Sequence, residues 1–202
     1  MPVDDAPLVS VHDVPHIPLL EIETARLQLR QWRETDRRPF AELNADTRVM
    51  ACFPQPLTRT QSDQMADRCE DLIEERGWGL WAAELKQTGA FIGFVGLHRP
   101  IPQLPCAPCT EIGWRLAFEH WGRGLATEAA RAALEVGFMT LGYPEIVSFT
   151  ALVNRRSRAV MERLGMQLQK ETFEHPLVPR DSPLREHCLY RLARGQWQQQ
   201  GH

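Results

Sequence analysis

The feature that most constrains the fold of this 202-residue chain is a turn with two glycines between a strand pattern and a helix pattern. Residues 110–117 predict a strand, and Gly122 and Gly124 follow in a short turn that leads directly into a helix over residues 128–141. Glycine lets the main chain bend sharply, and a helix N-terminus offers unpaired N–H groups at a positive dipole end. The arrangement predicts a loop that binds an anion, most often a phosphate.

Two common phosphate-binding motifs do not match this turn. A P-loop requires Gly-x-x-x-x-Gly-Lys-Ser/Thr, and neither Lys86 nor Lys170 lies in such a pattern. A dinucleotide fingerprint requires a glycine where Thr127 stands and an acidic residue at the end of the next strand, whereas Glu145 precedes that strand. The turn is therefore another kind of anion site, or its glycines serve the geometry of the turn alone.

Strand and helix patterns cover most of the remaining chain. Apolar runs predict strands at residues 26–32, 78–85, 90–97, 110–117, 146–153, 166–175 and 184–192. Helical spacing and capping residues predict helices over 35–50 (short and interrupted), from Thr58 to Gly77, over 128–141, and from Asn154 to Gly165. We expect residues 1–19 to form an extended arm, residues 20–195 a single α/β (α+β) domain with a mixed sheet, and residues 196–202 a frayed tail.

Composition excludes several classes of protein. The net charge of −3, from 23 basic and 26 acidic side chains, provides no overall positive field to attract nucleic acid. The longest apolar stretch, residues 90–97, is far shorter than the about 20 residues that span a bilayer, and no secretory signal pattern is visible. Five cysteines, an odd number, favour reduced thiols. We expect a cytoplasmic protein, monomeric or homodimeric, that binds neither nucleic acid nor membrane.

Cys106 and Cys109 have the Cys-x-x-Cys spacing of metal and redox sites. A zinc site normally needs a second such pair, and the other three cysteines do not supply one. We therefore predict no metal site and interpret the proline-rich residues 99–109 as a loop. A site completed by His98 or His120 is the alternative.

Three motifs, in this order, resemble those of the GCN5-related N-acetyltransferase (GNAT) superfamily. They are Glu111-Ile-Gly-Trp114, Trp121-Gly-Arg-Gly-Leu-Ala-Thr-Glu128, and Asn154-x-x-Ser157 with Gly165-Met166. The resemblance covers roughly residues 22–193 and is strongest to the branch that acetylates ribosomal-protein N-termini and many other amines. It implies a mostly antiparallel mixed sheet, splayed between two central parallel strands, with helices on both faces.

The resemblance also implies acetyl-coenzyme A as the cofactor and acetyl donor. Its pantetheine arm would pair with the main chain where the two parallel strands splay, and its pyrophosphate would lie on the amides of the glycine turn. The residues expected at the cofactor are Trp114, Arg115, Leu116, Trp121, Gly122, Arg123, Gly124, Leu125, Ala126, Thr127, Asn154, Ser157 and Arg158.

The resemblance suggests two catalytic residues. Many relatives have a tyrosine as general acid where Met161 stands, and a methionine cannot donate a proton. Ser157 is the replacement that the branch suggests, although a first-turn serine can instead satisfy helix N–H groups. Glu111 is the first candidate for the general base, because relatives often place a carboxylate there; water, His98 and His120 are the alternatives.

The resemblance thus implies an N-acetyltransferase that moves an acetyl group to a primary amine by direct transfer in a ternary complex. No cysteine falls in a matching motif, so we expect no covalent acyl-cysteine. Two alternatives remain: a catalytically idle sensor of acyl-coenzyme A, motivated by Met161, and a transferase for a longer acyl group. The acceptor stays open among N-terminal peptide amines, polyamines, antibiotics and small metabolites.

Overall fold

One mixed sheet of eight strands organises residues 18–200, the part of the chain that this computed structural model describes. Its helices and strands are, in chain order, β1 (Ile22–Glu23), β2 (Leu27–Arg30), α1 (Arg37–Ala45), α2 (Arg59–Arg76), β3 (Leu80–Leu85), β4 (Ala90–His98), β5 (Glu111–Leu116), α3 (Leu125–Glu135), β6 (Glu145–Ala151), α4 (Arg155–Arg163), β7 (Gln167–Glu174), β8 (Glu186–Ala193) and α5 (Arg194–Gln199). Single helical turns lie at Glu34–Asp36, Met50–Cys52, Phe118–His120 and Val136–Thr140.

The order of strands across the sheet is β1-β2-β3-β4-β5-β6-β8-β7. Neighbouring strands are antiparallel except for the central pair β5 and β6, which is parallel. The paired register of these two strands is confined to Glu111 opposite Val147, and beyond it they diverge. The predicted sheet, mostly antiparallel and splayed between two parallel strands, is confirmed.

Helices cover both faces of the sheet, as predicted. On one face α1 packs against β4, where the ring of Phe40 lies 6.0 Å from that of Phe94. On the other face α3 and the turn after it approach β4 so closely that a Cβ on Gly137 would lie 2.9 Å from Leu97 Cδ1. Side chains alternate along a strand, so Phe94 and Leu97 mark opposite faces. We call these the α1 face and the α3 face.

The predicted helix ends follow local capping chemistry. Thr58 Oγ1 accepts a hydrogen bond from Gln61 N at 3.2 Å while Gln61 Oε1 accepts one from Thr58 N at 2.9 Å, which begins α2. Gly77 ends that helix in the left-handed region, at φ +79°. Asn154 Oδ1 accepts from Ser157 N at 3.2 Å and caps α4. All of these helix boundaries agree with the sequence pattern.

Two sequence-based expectations are corrected by long-range packing. β4 continues to His98, one residue beyond the predicted strand over residues 90–97, because the register with β5 extends to Glu111. Residues 196–199, which composition assigns to a frayed tail, belong to α5, since Trp197 is buried with its ring 5.8 Å from that of Phe138. Residues 1–17 of the expected arm and residues 201–202 lie outside the described residues.

None of the helices within residues 18–200 is both long enough and apolar enough to cross a membrane.

Candidate functional site

The candidate site begins where β5 and β6 separate. Val147 N donates to Thr110 O at 2.9 Å, which is the start of a parallel ladder. Instead of the next main-chain bond, Ser148 Oγ donates to Ile112 O at 2.9 Å. A buried side chain thus ends the ladder, and the gap between the two strands opens from this point.

One edge of β5 faces this gap. The N–H and C=O directions alternate along a strand, and the carbonyls of Thr110 and Ile112 face β6. The main-chain groups of Trp114 and Leu116 therefore also point towards the β6 side. Trp121 Nε1 donates to Leu116 O at 2.7 Å and so fixes the end of the edge to the glycine turn. The main chain of Trp114 lies along the gap, between the bonded carbonyls of Ile112 and Leu116.

The glycine turn bends as its sequence predicts. Gly122 and Gly124 both lie in the left-handed region, at φ +71° and +78°. Gly124 is the N-cap of α3, so no side chain caps the N–H groups of the first helical turn. The turn therefore presents main-chain donors at the positive end of a helix dipole, an arrangement that suits an anion.

The residues just before β2 hold this turn in place. Arg26 Nη1 donates to Arg123 O at 2.9 Å. Glu128, in the first turn of α3, accepts hydrogen bonds from Thr24 Oγ1 at 2.7 Å and from Arg26 N at 2.8 Å. Burial raises the pKa of Glu128, but the hydrogen bonds from Thr24 and Arg26 lower it by more, so the net pKa is below the usual value. The carboxylate thus stays charged while it ties two distant segments together.

The N-terminus of α4 supplies a serine with a fixed hydroxyl. Asn154 Nδ2 donates to Ser157 Oγ at 3.0 Å and to Thr150 Oγ1 at 2.9 Å. Ser157 Oγ is therefore a hydrogen-bond acceptor here, and its own hydrogen is left for another partner. Met161, one turn later, is buried in the core, with 1% of its surface exposed. The helix therefore presents a hydroxyl at Ser157 and a buried thioether, which carries no acidic proton, at Met161.

The arginines after Asn154 separate in the structure. The side chain of Arg158, which the resemblance assigns to the cofactor, turns towards β8: its Nε donates to Tyr190 Oη and its Nη1 to Leu152 O, both at 3.3 Å. Arg156 instead lies beside the glycine turn, with Cζ 4.8 Å from the centre of the Trp121 ring. Successive helix residues point about 100° apart. Arg156 and Arg158 are two residues apart, so their side chains point to nearly opposite sides of α4.

Glu111 is paired with a histidine. His98 Nε2 lies 3.0 Å from Glu111 Oε2, because the last residue of β4 stands directly opposite the first residue of β5. Burial lowers the pKa of His98, but the Glu111 carboxylate raises it by more, so the net pKa lies above its usual value. The predicted strand over residues 90–97 ends one position short of His98, so the sequence pattern does not indicate this pair.

Arg115 differs from the expectation that its main chain faces the splay. Main-chain directions alternate along β5, and the carbonyls of Thr110 and Ile112 face β6, so the N–H and C=O of Arg115 point towards β4. Its side chain lies on the α1 face, where Nη1 donates to Asn44 Oδ1 at 2.6 Å. Burial lowers the pKa of Arg115 to about 10. The structure therefore separates Arg115 from the cofactor set.

The two loop cysteines lie together as thiols. Cys109 Sγ is 3.5 Å from Cys106 Sγ, and both pack beside Leu104 and Val147. Burial and the hydrogen bond to Cys106 raise the pKa of Cys109 to about 12. Within residues 18–200, His, Cys, Asp and Glu side chains form no cluster of three or more suited to a metal ion.

Comparison with known proteins places the chain in a family. The family model of the acetyltransferase (GNAT) domain matches residues 26–167. The uncharacterized protein YkkB of Bacillus subtilis is 32% identical over 154 residues, which cover 74% of this chain and 87% of YkkB. The FsC-acetyl coenzyme A-N(2)-transacetylase of Aspergillus fumigatus is 28% identical over 186 residues, covering 87% of this chain and 77% of that enzyme. A solved acetyltransferase from Agrobacterium tumefaciens has a TM-score of 0.70 and 31% identity, covering 87% of this chain and 95% of that chain. The chain therefore belongs to the GNAT family of acetyltransferases and is an enzyme of that class.

Proposed function

We propose that the chain binds acetyl-coenzyme A along the open edge of β5 and transfers its acetyl group directly to a primary amine in a ternary complex. One observation carries the proposal: the edge at Trp114 leads, through the helical turn Phe118–His120 and the glycine turn, to the N-terminus of α3, which no side chain caps. Amides of a pantetheine arm pair with such an edge as a strand does, and a pyrophosphate suits such a helix end. The name of the Aspergillus relative, which includes acetyl coenzyme A, agrees with this choice.

The residues of the site divide the binding task. Trp114 and Leu116 pair with the amides of the pantetheine arm, and Trp121 holds the end of that edge in place. Arg156, and not Arg158, stands beside the turn as a cation for the phosphates. The main-chain N–H groups that hold the pyrophosphate are those of Gly122, Arg123, Gly124, Leu125, Ala126 and Thr127. When bound, acetyl-coenzyme A supplies an acetyl group activated as a thioester.

Removal of the amine proton falls to Glu111 and His98. An amine attacks only when it is neutral, so the site must take a proton from the incoming ammonium. The Glu111 carboxylate attracts that ammonium, and the proton is shared with His98 across their 3.0 Å contact. A residue pair of this kind takes up the proton more readily as the pH rises through the pKa of its histidine.

Return of a proton falls to Ser157. A departing thiolate has a conjugate pKa near 8.5. Ser157 passes its hydroxyl proton to the sulfur and takes a proton back from water, so the serine ends the step as a hydroxyl. Ser157 Oγ accepts a hydrogen bond from Asn154, so the hydroxyl hydrogen of Ser157 points away from Asn154 and is available to another partner. The positive end of α4 also favours negative charge on the sulfur.

A thiol-release assay with acetyl-coenzyme A and a panel of primary amines tests the function. We expect release that depends on the amine, an acetylated product by mass spectrometry, and intersecting initial-rate lines that indicate a ternary complex. Tight cofactor binding without amine-dependent release would instead identify an idle sensor, the alternative that Met161 motivates. Faster release with longer acyl-coenzyme A donors would identify a transferase for longer acyl groups.

A further inference from the structure

The guanidinium of Arg115 is a buried cation with no carboxylate partner among residues 18–200. Only 9% of the residue is exposed, and its Nε has no hydrogen-bond partner. Nη1 donates to the neutral amide of Asn44, and the rings of Phe53 and Phe94 lie 4.2 and 5.5 Å from Cζ. A buried charge without a counter-ion is strongly unfavourable, so the group calls for an external anion.

Arg30 is the contrasting case within the same chain. Its side chain is 3% exposed, and its terminal nitrogens donate to both carboxylate oxygens of Asp36 at 2.7 and 2.9 Å. Its Nε donates to Glu84 at 2.7 Å. One buried guanidinium is thus fully neutralised from within the fold, whereas Arg115 is not.

The unpartnered edge of Arg115 has the shape of a carboxylate site. Hydrogen bonds within the described residues engage Nη1 alone, which leaves Nε and Nη2 side by side. These two nitrogens form a planar fork that matches the two oxygens of one carboxylate. Asn44 is itself held by a 2.9 Å hydrogen bond from its Nδ2 to Ser62 Oγ, so the fork is fixed in orientation. Burial lowers the pKa of Arg115 to about 10, which still leaves a cation at neutral pH.

The position of the fork links it to the acceptor rather than to the cofactor phosphates. Arg115 and Glu111 are four residues apart on β5, so both side chains lie on the α1 face, with Cα atoms about 13 Å apart. Gly113 lies between them, and a Cβ there would meet only His98 Nε2, at 4.0 Å. α3, whose N-terminus is the proposed phosphate site, packs against the opposite face. The floor between Glu111 and Arg115 is therefore free of side chains from β5.

We infer that Arg115 binds a carboxylate of the acceptor, so that the acceptor is a primary amine that also carries a carboxylate, such as an amino acid. The inference rests on the proposed function, in which the amine lies at Glu111. Since Nε is enclosed, the carboxylate reaches it only when Phe53 and its loop move aside. The same buried charge disfavours polyamines, despite the net negative charge of the chain.

Pairs of acceptors that differ only in this carboxylate test the inference. Thiol release is measured for α-amino acids and for linear ω-amino acids of increasing length, each beside its carboxamide. We expect the wild type to prefer at least one acid over its amide by about tenfold or more in kcat/KM, as for a charge-assisted bidentate pair. Arg115→Gln should bring that ratio to about one, mainly through KM, with acetyl-coenzyme A affinity unchanged by calorimetry.

Arg48→Gln is the matched control. Arg48 also stacks on a phenylalanine, with Cζ 4.1 Å from the Phe118 ring, but it is exposed and paired with Asp46. This variant should keep the wild-type ratio of acid to amide.

The possible outcomes separate the inference from the proposed function. Equal turnover of acids and amides by the wild type overturns the carboxylate site and leaves the proposed acetyltransferase function standing. This comparison uses the wild type alone, so it does not depend on whether a variant folds. An equal loss for acids and amides in Arg115→Gln also overturns it, because it indicates a structural role. Absence of thiol release with every amine overturns the proposed function, and the inference with it.

Discussion

His98 Nε2 lies 3.0 Å from Glu111 Oε2 at the end of the sheet where β5 begins. The contact joins two residues that lie 13 positions apart in the sequence and are brought together by the antiparallel register of β4 and β5. It also places a carboxylate beside a histidine whose pKa it raises above the usual value. The proposed base is therefore the pair, and not either residue alone.

The first prediction concerns the pH dependence of activity. The raised pKa of His98 means that the pair retains its proton to a higher pH than a free imidazole does. We expect kcat/KM for the amine to rise with pH through this raised pKa. His98→Gln should remove that inflection and lower the maximal rate by about tenfold or more, as for loss of a general base. An unchanged pH–rate profile in His98→Gln would assign deprotonation to water or to Glu111 alone.

The same pair makes stability depend on pH in the opposite sense. Because folding raises the pKa of His98, the stabilisation is complete below the unfolded value, near 6.5, and is lost as the pH rises through the folded value. The difference in melting temperature between wild type and His98→Gln should therefore be larger at pH 6 than at pH 9. His175→Gln is the control, since burial lowers the pKa of His175.

The second prediction concerns Ser157. Ser157→Ala should lower kcat by about tenfold or more, the scale of general acid catalysis, and should leave acetyl-coenzyme A affinity within about twofold. Asn154→Ala removes the cap of α4 as well as the hydrogen bond to Ser157, so it should also destabilise the fold by about 1 kcal/mol. Steady-state kinetics and calorimetry separate the two variants. Equal losses of turnover and affinity in Ser157→Ala would assign this serine to binding.

The third prediction concerns the glycine turn. Gly124→Glu places a bulky negative side chain at the N-terminus of α3, and we expect acetyl-coenzyme A affinity to fall by about tenfold or more through repulsion of the phosphates. The positive φ of +78° also strains any other residue there. Gly142→Glu controls for this strain, because Gly142 has φ +72° and open space around it. Similar affinities for the two variants would place the phosphates elsewhere.

The parts of the molecule that the sequence predicts are those set by local chemistry. The caps at Thr58, Gly77 and Asn154 are fixed by neighbours within a few residues, and they lie where the pattern indicates. The glycine turn is equally local, since Gly122 and Gly124 set its bend themselves. The strand order and the splay follow from the family resemblance, which the family match supports.

The parts that the sequence does not predict depend on pairing between distant segments. The partner of Glu111 is decided by strand register, and the environment of Arg115 is decided by how α1 and α2 pack on the sheet. That Arg156 and not Arg158 lies beside the glycine turn depends on how α4 is rotated against β8. No single segment of the chain contains this information.

The last prediction concerns the C-terminal helix, where composition is misleading. The run of glutamines around Trp197 resembles a solvated tail, yet this tryptophan is only 4% exposed and packs beside Phe138 after α3. Trp197→Ala should lower the free energy of unfolding by about 3–5 kcal/mol, because it removes a large buried ring and leaves a cavity. Urea denaturation measures this loss, and Gln198→Ala, on the exposed side of α5, should change it by less than about 0.5 kcal/mol. If both variants unfold as the wild type does, α5 does not contribute to the core and the tail behaves as its composition indicates.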